Sequence, residues 1–353
     1  MKALILSGGS GTRLRPLTHT SAKQLLPVAN KPIIYYGIEA ISSCGIKDFG
    51  IIVGDTAQDV INEIGNGAKW GIKITYIRQE APLGLAHAVK ISKDFIKDDS
   101  FIMFLGDNLL KEGIPEFVSK FKKNKPNALI LLTPVPNPSQ FGVAELSKTG
   151  EVLKLIEKPK NPKSNLALVG VYLFDKNIFK AVNSIKPSKR GELEITDAIQ
   201  WLLNNGYKVE SHMVSGWWKD TGKPEDLVEA NKLVLEMISK SSIKGDIDKK
   251  SKLYGKIEMG KGVRIVSSII KGPVSIAENC VISNCEIGPN VSIGDACILE
   301  NCRIDNSIIM EECVLENVRK KISNSILGKS VRIFGSKNFH SFVIGDRSQI
   351  NLA

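Results

Sequence analysis

Three glycines and a basic residue lie close together near the start of the chain. The stretch SGGSGTRLR covers residues 7–15 and follows a short apolar run. Because glycine has no Cβ, the amides of Gly8, Gly9 and Gly11 can approach a phosphate closely, and Arg13 would add a planar positive charge. The loop has neither the spacing of a dinucleotide fingerprint nor the Gly-Lys-Ser/Thr of a P-loop. A tight strand-to-helix turn would also use glycines, so the loop alone does not establish phosphate binding.

A lysine and two aspartates complete a set that suits phosphate chemistry. Lys23 follows the glycine loop in SAKQLLPVANKP, Asp107 ends a hydrophobic strand in FIMFLGDNLL, and Asp220 precedes a predicted helix in GWWKDTGKPED. Taken singly, these residues are ordinary as a surface lysine, a strand-end aspartate and a helix cap. Two carboxylates together with phosphate oxygens would suit Mg²⁺, which prefers hard oxygen ligands and keeps several waters.

The first 240 residues contain the elements that must position these groups. Short apolar strands such as residues 49–53 and 169–174 alternate with helical stretches such as residues 33–43 and 193–204. This alternation predicts an α/β, Rossmann-like domain over residues 1–240, with a mainly parallel sheet covered on both faces. Ligands of such sheets bind beyond the carboxyl ends of the strands, which is where the glycine loop and Asp107 fall.

The hydrophobic period changes in the last hundred residues. We interpret the polar segment 241–252 as a linker, after which aliphatic residues recur in steps of six, as at Ile270, Ile276 and Ile282. This hexapeptide period predicts a left-handed parallel β-helix over residues 253–353. Five of the six cysteines lie here without the paired CxxC of a zinc site. We therefore expect them to be small inward-facing residues.

Composition excludes some classes of partner. The net charge of +11 comes from lysines that are spread along the chain, and only 6% of residues are aromatic, so we expect no nucleic-acid partner. No stretch approaches the roughly 20 apolar residues of a membrane span, and no secretory signal is evident. We expect a cytoplasmic protein that does not bind membranes and that forms a homo-oligomer through its β-helix.

Taken together, the motifs resemble those of a known family. GGSGTRLRPLT, KQLLPVANKP, LGDN, FGV, EKP, GELEITD and WWKDTG occur in the order found in sugar nucleotidyltransferases. With its hexapeptide tail, the chain is most similar to the long-form thymidylyltransferases that act on glucose 1-phosphate. The resemblance implies that dTTP and glucose 1-phosphate give dTDP-glucose and pyrophosphate, with Mg²⁺ as the cofactor.

The residues agree with that reaction. A sugar phosphate has a second pKa near ~6, so it is mostly dianionic at neutral pH and needs no general base. Accordingly, the four histidines, His19, His87, His212 and His340, lie outside the catalytic motifs. Catalysis is then expected to consist of positioning and charge neutralisation.

The resemblance also implies residue roles. Arg13 and Lys23 would neutralise the triphosphate, Lys158 would complete the catalytic set, and Asp107 and Asp220 would hold Mg²⁺. The nucleotide would contact Leu6, Gly8, Gly9, Gly11, Gln24, Gln79 and Gly84. The sugar phosphate would contact Asn108, Gly142, Glu157, Lys158, Leu168, Tyr172 and Arg190. Phe141 stands where close relatives often have tyrosine, which weakens the prediction of sugar specificity.

Three alternatives remain open from the residues. The enzyme could use UTP in place of dTTP, because uracil differs from thymine only by a methyl group. It could be bifunctional, with acetyl transfer in the β-helix, for which His340 would be the available base. It could also be a non-catalytic regulatory subunit, which the presence of Arg13, Lys23 and both aspartates disfavours.

Overall fold

A computed structural model of the chain describes residues 1–335. Their contacts group them into two compact units, each of which draws on several segments of the chain. The first unit comprises Met1–Ser10, Ser21–Leu25 and Ile33–Asp220, and the second comprises Gly11–Thr20, Leu26–Pro32 and the described residues from Thr221 onward.

Strands and helices alternate through the first 240 residues, as predicted. The helices are α1 (Ile33–Ser43), α2 (Ala57–Ile64), α3 (Leu85–Ile91), α4 (Lys93–Ile96), α5 (Pro115–Asn124), α6 (Ile178–Ser184), α7 (Ile195–Asn204) and α8 (Pro224–Glu236). The strands are β1 (Lys2–Ser7), β2 (Pro27–Val28), β3 (Lys31–Pro32), β4 (Asp48–Val53), β5 (Lys73–Arg78), β6 (Phe101–Leu105), β7 (Asn108–Leu110), β8 (Ala128–Pro134), β9 (Gly142–Leu146), β10 (Val152–Glu157), β11 (Leu166–Phe174), β12 (Val209–Met213) and β13 (Trp218–Asp220). Single 3₁₀ turns lie at Thr12–Leu14, Leu17–His19, Lys23–Leu25, Ala68–Trp70 and Pro138–Gln140.

A mixed sheet forms the centre of the first unit. Its strands β6, β1, β4 and β5 are parallel neighbours in that order, which confirms the predicted parallel sheet, and β11, β9 and β10 extend it with antiparallel pairings. Apolar residues on both faces of β1 are buried, as expected for a parallel strand that is covered on both sides. Leu6 of β1 pairs with Ile52 of β4 and with Leu105 of β6, so the loops that follow these three strands leave the same edge.

Short parallel strands build most of the second unit. They are β14 (Ser242–Ile243), β15 (Asp246–Ile247), β16 (Lys252–Tyr254), β17 (Ile257–Met259), β18 (Arg264–Val266), β19 (Ile269–Lys271), β20 (Val274–Ile276), β21 (Val281–Ser283), β22 (Glu286–Ile287), β23 (Val291–Ile293), β24 (Ile298–Glu300), β25 (Arg303–Asp305), β26 (Ser307–Ile309), β27 (Val314–Glu316), β28 (Ile322–Ser323), β29 (Ile326–Leu327) and β30 (Arg332–Phe334). Every third strand along the chain pairs in parallel, so each coil contributes one strand to each of three sheets. This is the β-helix that the hexapeptide period predicts, and its left-handedness stays a prediction.

The cysteines of the β-helix face its interior, as predicted. Cys280, Cys285, Cys297, Cys302 and Cys313 are all buried in the same apolar cluster. Within that cluster the Sγ atoms of Cys285 and Cys302 lie 3.4 Å apart on neighbouring coils. They therefore act as small core residues, and within residues 1–335 no three His, Cys, Asp or Glu side chains group in a way that could hold a metal ion.

The interpretation of residues 241–252 as a linker is wrong. Ser242 pairs with Glu258, Asp246 with Arg264 and Lys252 with Ile269, so the segment forms the first coil of the β-helix. The error has a physical cause. These strands are held by backbone hydrogen bonds to the next coil. Their apolar residues Ile243 and Ile247 are 41% and 37% exposed, so the segment lacks the regular spacing of buried residues by which a strand is recognised in a sequence.

A two-residue hairpin of the second unit is held by α8 and the β-helix. Ala29 and Asn30, which connect β2 to β3, both have positive φ values, of 48° and 62°. The backbone amide of Ala29 and Ser292 Oγ both donate to Asn231 Oδ1, at 2.8 and 2.9 Å. Asn30 Nδ2 donates to the carbonyl of Ser275 at 3.1 Å. Contacts thus group α8 with the β-helix, and the domain boundary at residue 240 stays a prediction.

Candidate active site

The turn after β1 packs closely against its neighbours in the first unit. A Cβ on Gly8 would lie 3.0 Å from Gln79 Oε1, and one on Gly54 would lie 2.7 Å from the carbonyl oxygen of Gly8. A Cβ on Gly9 would lie 3.3 Å from Cε of Lys23. The contact at Gly54 leaves no room for a Cβ, and those at Gly8 and Gly9 are tighter than ordinary van der Waals contacts. Gly8 and Gly9 therefore allow the turn to meet two other predicted site residues, Lys23 and Gln79.

Lys23 and Asp107 form an ion pair within hydrogen-bond distance. Lys23 lies on the 3₁₀ turn Lys23–Leu25, and Asp107 follows β6 and is only 7% exposed. Burial raises the pKa of Asp107, but the Lys23 ammonium and the Asn108 amide, which donates at 3.1 Å, more than offset it and hold the pKa below its usual value. The carboxylate is thus an anion at neutral pH.

Asp220 lies on the strand beside Asp107. β13 and β7 are antiparallel partners, and Asp220 is paired with Asn108, the residue after Asp107. Asp107 immediately precedes β7, so the two predicted metal ligands lie close to the same end of this two-stranded sheet. Hard carboxylate oxygens of this kind fit a divalent cation that takes its remaining ligands from phosphate and water. The binding of a cation by these two carboxylates stays a prediction.

Both polar atoms of the Asn108 side chain make internal hydrogen bonds. Its Oδ1 accepts from the indole of Trp218 at 2.6 Å and from the amide of Gly170 at 3.1 Å, while its Nδ2 donates to Asp107. The residue is buried and ties β7, β11 and β13 together. Its predicted contact with glucose stays a prediction, and the structure adds a role in positioning Asp107.

Gln24 adds a buried amide next to Lys23. The residue is 1% exposed, and among the side chains of residues 1–335 nothing donates to its Oε1. Its Cγ lies 3.2 Å from where a Cβ on Gly106 would be. A buried acceptor without a donor destabilises the fold by about 1–3 kcal/mol, and a ligand that donates a hydrogen bond to it would remove this penalty. This supports the predicted contact between Gln24 and the nucleoside.

Gln79 is held by Gly84 and His87. Its Nε2 donates to the Gly84 carbonyl at 3.3 Å and lies 3.0 Å from Nδ1 of His87. Gly84 has φ +102°, and a Cβ there would lie 2.4 Å from the carbonyl oxygen of Leu193, so the absence of a side chain lets the backbone at Gly84 approach that of Leu193. The predicted contact of Gly84 with the nucleotide stays a prediction. Sequence reasoning missed His87. The sequence could have indicated it, because His87 lies in the first turn of α3, directly after the predicted site residue Gly84.

Three of the predicted sugar-phosphate residues, Gly142, Lys158 and Arg190, lie close to a fourth, Glu157. Arg190 lies 3.4 Å and Lys158 3.8 Å from Glu157 Oε1, and Thr196 Oγ1 donates to Oε2 at 3.3 Å. A Cβ on Gly142 would lie 3.1 Å from the same Oε2. Basic and acidic groups at one place can bind a phosphate and sugar hydroxyls together.

The charge state of Glu157 reflects competing neighbours. Burial raises its pKa, Glu194 raises it further, and Lys158 and Arg190 only partly offset these effects. The pKa therefore stays above its ordinary value. Leu6, Leu168 and Tyr172 are buried in one apolar cluster of the core. Phe141 packs edge-on against Trp218 with ring centroids 5.4 Å apart. The contacts of these residues with substrate stay predictions.

Gly11 and Arg13 belong to the second unit. Gly11 has φ +62°, and Thr18 Oγ1 donates to its carbonyl at 2.8 Å, which closes the loop on itself. Arg13 is exposed on the 3₁₀ turn Thr12–Leu14. Their predicted contact with the triphosphate stays a prediction. His340, the proposed acetyl-transfer base, lies outside the described residues.

The part of the chain that the structure describes has no helix with the length and apolarity to span a membrane.

Comparisons with known proteins agree with the geometry. The sequence model described as Nucleotidyl transferase matches residues 2–237, and one described as GMPPB C-terminal domain matches residues 270–351. The chain is 49% identical over its whole length to the glucose-1-phosphate thymidylyltransferase of Streptomyces antibioticus, of which it covers 99%. It is 47% identical to that of Streptomyces griseus, with both chains covered fully.

A solved structure supports the same assignment for the first part of the chain. It is a putative glucose-1-phosphate thymidylyltransferase from Bacillus anthracis in complex with a sucrose, with 40% identity and a TM-score of 0.63. The match covers 66% of this chain and 94% of that one. The motif order, the family match and the full-length relatives lead to one conclusion: the chain belongs to the nucleotidyl transferase family.

Proposed function

We propose that this protein transfers a thymidylyl group from dTTP to glucose 1-phosphate, giving dTDP-glucose and pyrophosphate. The observation that carries the proposal is the Lys23–Asp107 ion pair, with Asp220 on the adjoining strand and the Gly8–Gly9 turn against Lys23. Full-length relatives named for this activity support the choice of substrates.

The reaction needs charge neutralisation rather than proton transfer. A phosphate oxygen of glucose 1-phosphate attacks the α-phosphorus, a new P–O bond forms, and the bond to the β-phosphate breaks with release of pyrophosphate. Lys23 offsets negative charge that gathers at the α-phosphate, and Asp107 holds the lysine in place through the ion pair. Lys158 and Arg190 would bind the sugar phosphate, while Glu157 would accept hydrogen bonds from sugar hydroxyls.

The resident cation is proposed to be Mg²⁺, with Asp107 and Asp220 as its protein ligands. Bound there, it would withdraw charge from the phosphates and hold them in line. The two-carboxylate set fits an ion that keeps most of its coordination for phosphate and water.

We also propose that the enzyme works in the cytoplasm as a homo-oligomer formed through the β-helix. Large apolar side chains on the outer surface of the coils support the second point, among them Tyr254, Val266, Ile269 and Ile298. Sedimentation of an Ile298→Lys variant, expected to contain smaller species than the parent protein, tests it. An unchanged oligomer would argue against this surface.

The activity is tested by a panel of nucleoside triphosphates against sugar 1-phosphates, read by pyrophosphate release. We expect the highest kcat/KM with dTTP and glucose 1-phosphate, and measurable use of UTP, because a methyl contact gives only about ten- to two-hundred-fold discrimination. A higher kcat/KM with UTP would show that the activity is uridylyl transfer, and the proposed mechanism would be unaffected. The absence of pyrophosphate release with every pair would reject the proposed function.

A further inference from the structure

The orientation of the Gln79 amide can be read from its neighbours. Its backbone amide donates to the Val53 carbonyl at 2.8 Å, and the residue is 9% exposed, so the side chain is held at the end of β5. The side-chain nitrogen lies 3.3 Å from the carbonyl oxygen of Gly84. A carbonyl oxygen only accepts hydrogen bonds. The nitrogen end of the amide must therefore face Gly84.

That orientation determines the state of His87. The same Gln79 nitrogen lies 3.0 Å from Nδ1 of His87, and an amide nitrogen donates but does not accept. Nδ1 must then accept, so the ring is neutral with its proton on Nε2. Burial lowers the pKa of His87 below its ordinary value, and the ammonium of Lys90 lowers it further, which agrees with a neutral ring.

The two contacts leave one polar atom of the amide for a ligand. Both hydrogens of Gln79 Nε2 are taken, by Gly84 and by His87. The remaining Oε1 lies 3.0 Å from where a Cβ on Gly8 would be, at the turn that meets Lys23 through Gly9. Within residues 1–335 no side chain or backbone group donates to Oε1. The amide thus offers the nucleotide an acceptor and no donor.

We propose that His87 is a positioning residue that holds Gln79 with Oε1 toward the nucleobase, so that the site selects a base whose ring N3 carries a hydrogen. Thymine and uracil donate an N–H at N3, whereas cytosine has a lone pair there. An acceptor pairs with the first two and repels the third. This inference rests on the proposed function, in which Gln79 contacts the pyrimidine.

Three variants of the full chain test this role. His87→Phe keeps a ring but removes the acceptor, His87→Asn replaces Nδ1 with an amide oxygen that can accept, and Gln79→Leu removes the amide. The measurement is kcat and KM for dTTP and for dCTP, at saturating glucose 1-phosphate and Mg²⁺. Losing one hydrogen bond of this kind corresponds to a change of about tenfold.

We expect His87→Phe to raise KM for dTTP about tenfold with kcat changed by less than about threefold, and to reduce the dTTP preference over dCTP about tenfold. His87→Asn should recover most of both effects. A purely structural role would instead lower kcat or stability for both nucleotides alike. If His87→Phe does not fold by thermal melting, His87→Ala, which is smaller and adds no clash, takes its place with the same expectation.

The outcomes separate the two proposals. If Gln79→Leu leaves the preference for dTTP over dCTP unchanged, Gln79 does not read the base and this part of the proposed function fails. If Gln79→Leu abolishes the preference but His87→Phe and His87→Ala both retain it, the positioning role of His87 alone is overturned. Failure of His87→Asn to recover the preference also overturns it.

Discussion

The ammonium of Lys23 is ion-paired with the carboxylate of Asp107, although the two residues are 84 positions apart in the chain. The lysine arrives on a 3₁₀ turn and the aspartate at the end of β6. The pair keeps an anion and a cation together at the edge of the sheet where the turn after β1 also leaves. Incoming phosphates would meet the lysine's positive charge already in place, with no rearrangement needed at the moment of reaction.

Replacement of the two acidic residues should remove activity. Asp107→Asn and Asp220→Asn each delete a negative cation ligand, and we expect turnover to fall by about 10²–10³-fold in each. Asp98→Asn, at an exposed surface aspartate, is the matched control and should have parent activity. The measurement is pyrophosphate release at saturating Mg²⁺, with circular dichroism to confirm the fold. Undiminished turnover in both variants would refute the metal assignment.

Gly84→Ala should destabilise the protein by more than backbone strain alone. A non-glycine residue at φ +102° costs about 1–3 kcal/mol, and the new Cβ would also lie 2.4 Å from the Leu193 carbonyl oxygen. Gly191→Ala is the matched control, because Gly191 has φ +76° but nothing within 4 Å of its Cβ position. Urea unfolding compares the two. Equal losses of unfolding free energy would mean that close approach does not matter at Gly84.

Glu157→Gln should increase stability at alkaline pH. The folded-state pKa of Glu157 is raised, which means that the folded protein favours the protonated carboxyl. The stability that the protonated carboxyl contributes is lost as pH rises through that pKa. Glutamine stays neutral at every pH, so the variant does not lose this stability. We expect a gain of about 1 kcal/mol or less at pH 8 that disappears toward pH 4.5, measured by urea unfolding.

The control for Glu157 is Glu151→Gln, which removes the same charge from an exposed turn. It should change the unfolding free energy by less than about 0.5 kcal/mol. KM for glucose 1-phosphate should rise in Glu157→Gln alone, since the carboxylate is the proposed acceptor for sugar hydroxyls. A stability gain that is the same at both pH values would contradict the assigned cause.

Asn231→Leu should weaken the second unit. The amide of Ala29 and the hydroxyl of Ser292 would both lose their acceptor, and an orphaned buried donor costs about 1–3 kcal/mol. Asn204→Leu, on the exposed face of α7, is the control and should change the unfolding free energy by less than about 0.5 kcal/mol. Similar results for the two variants in urea unfolding would show that Asn231 does not hold the hairpin.

Most of the fold could be predicted because its signals are local. Buried runs such as residues 101–105 form strands of the sheet, and the six-residue period of Ile270, Ile276 and Ile282 forms a β-helix. Residues 241–252 were mispredicted as a linker because their structure depends on contacts that are not local. Their strands form through backbone hydrogen bonds to the following coil, and the spacing of apolar side chains does not reveal that pairing.

The sequence by itself determined the α/β and β-helical architectures, the motifs at the edge of the sheet and the family, because each depends on residue types at short, regular spacings. Only the tertiary structure decided which side chains meet. The Lys23–Asp107 pair, the use of Asn108 by Trp218 and Gly170, and the contact of His87 with Gln79 all depend on how strands pair and loops return. Hydrogen bonds and ion pairs act over a few ångströms, so separation along the chain does not predict them.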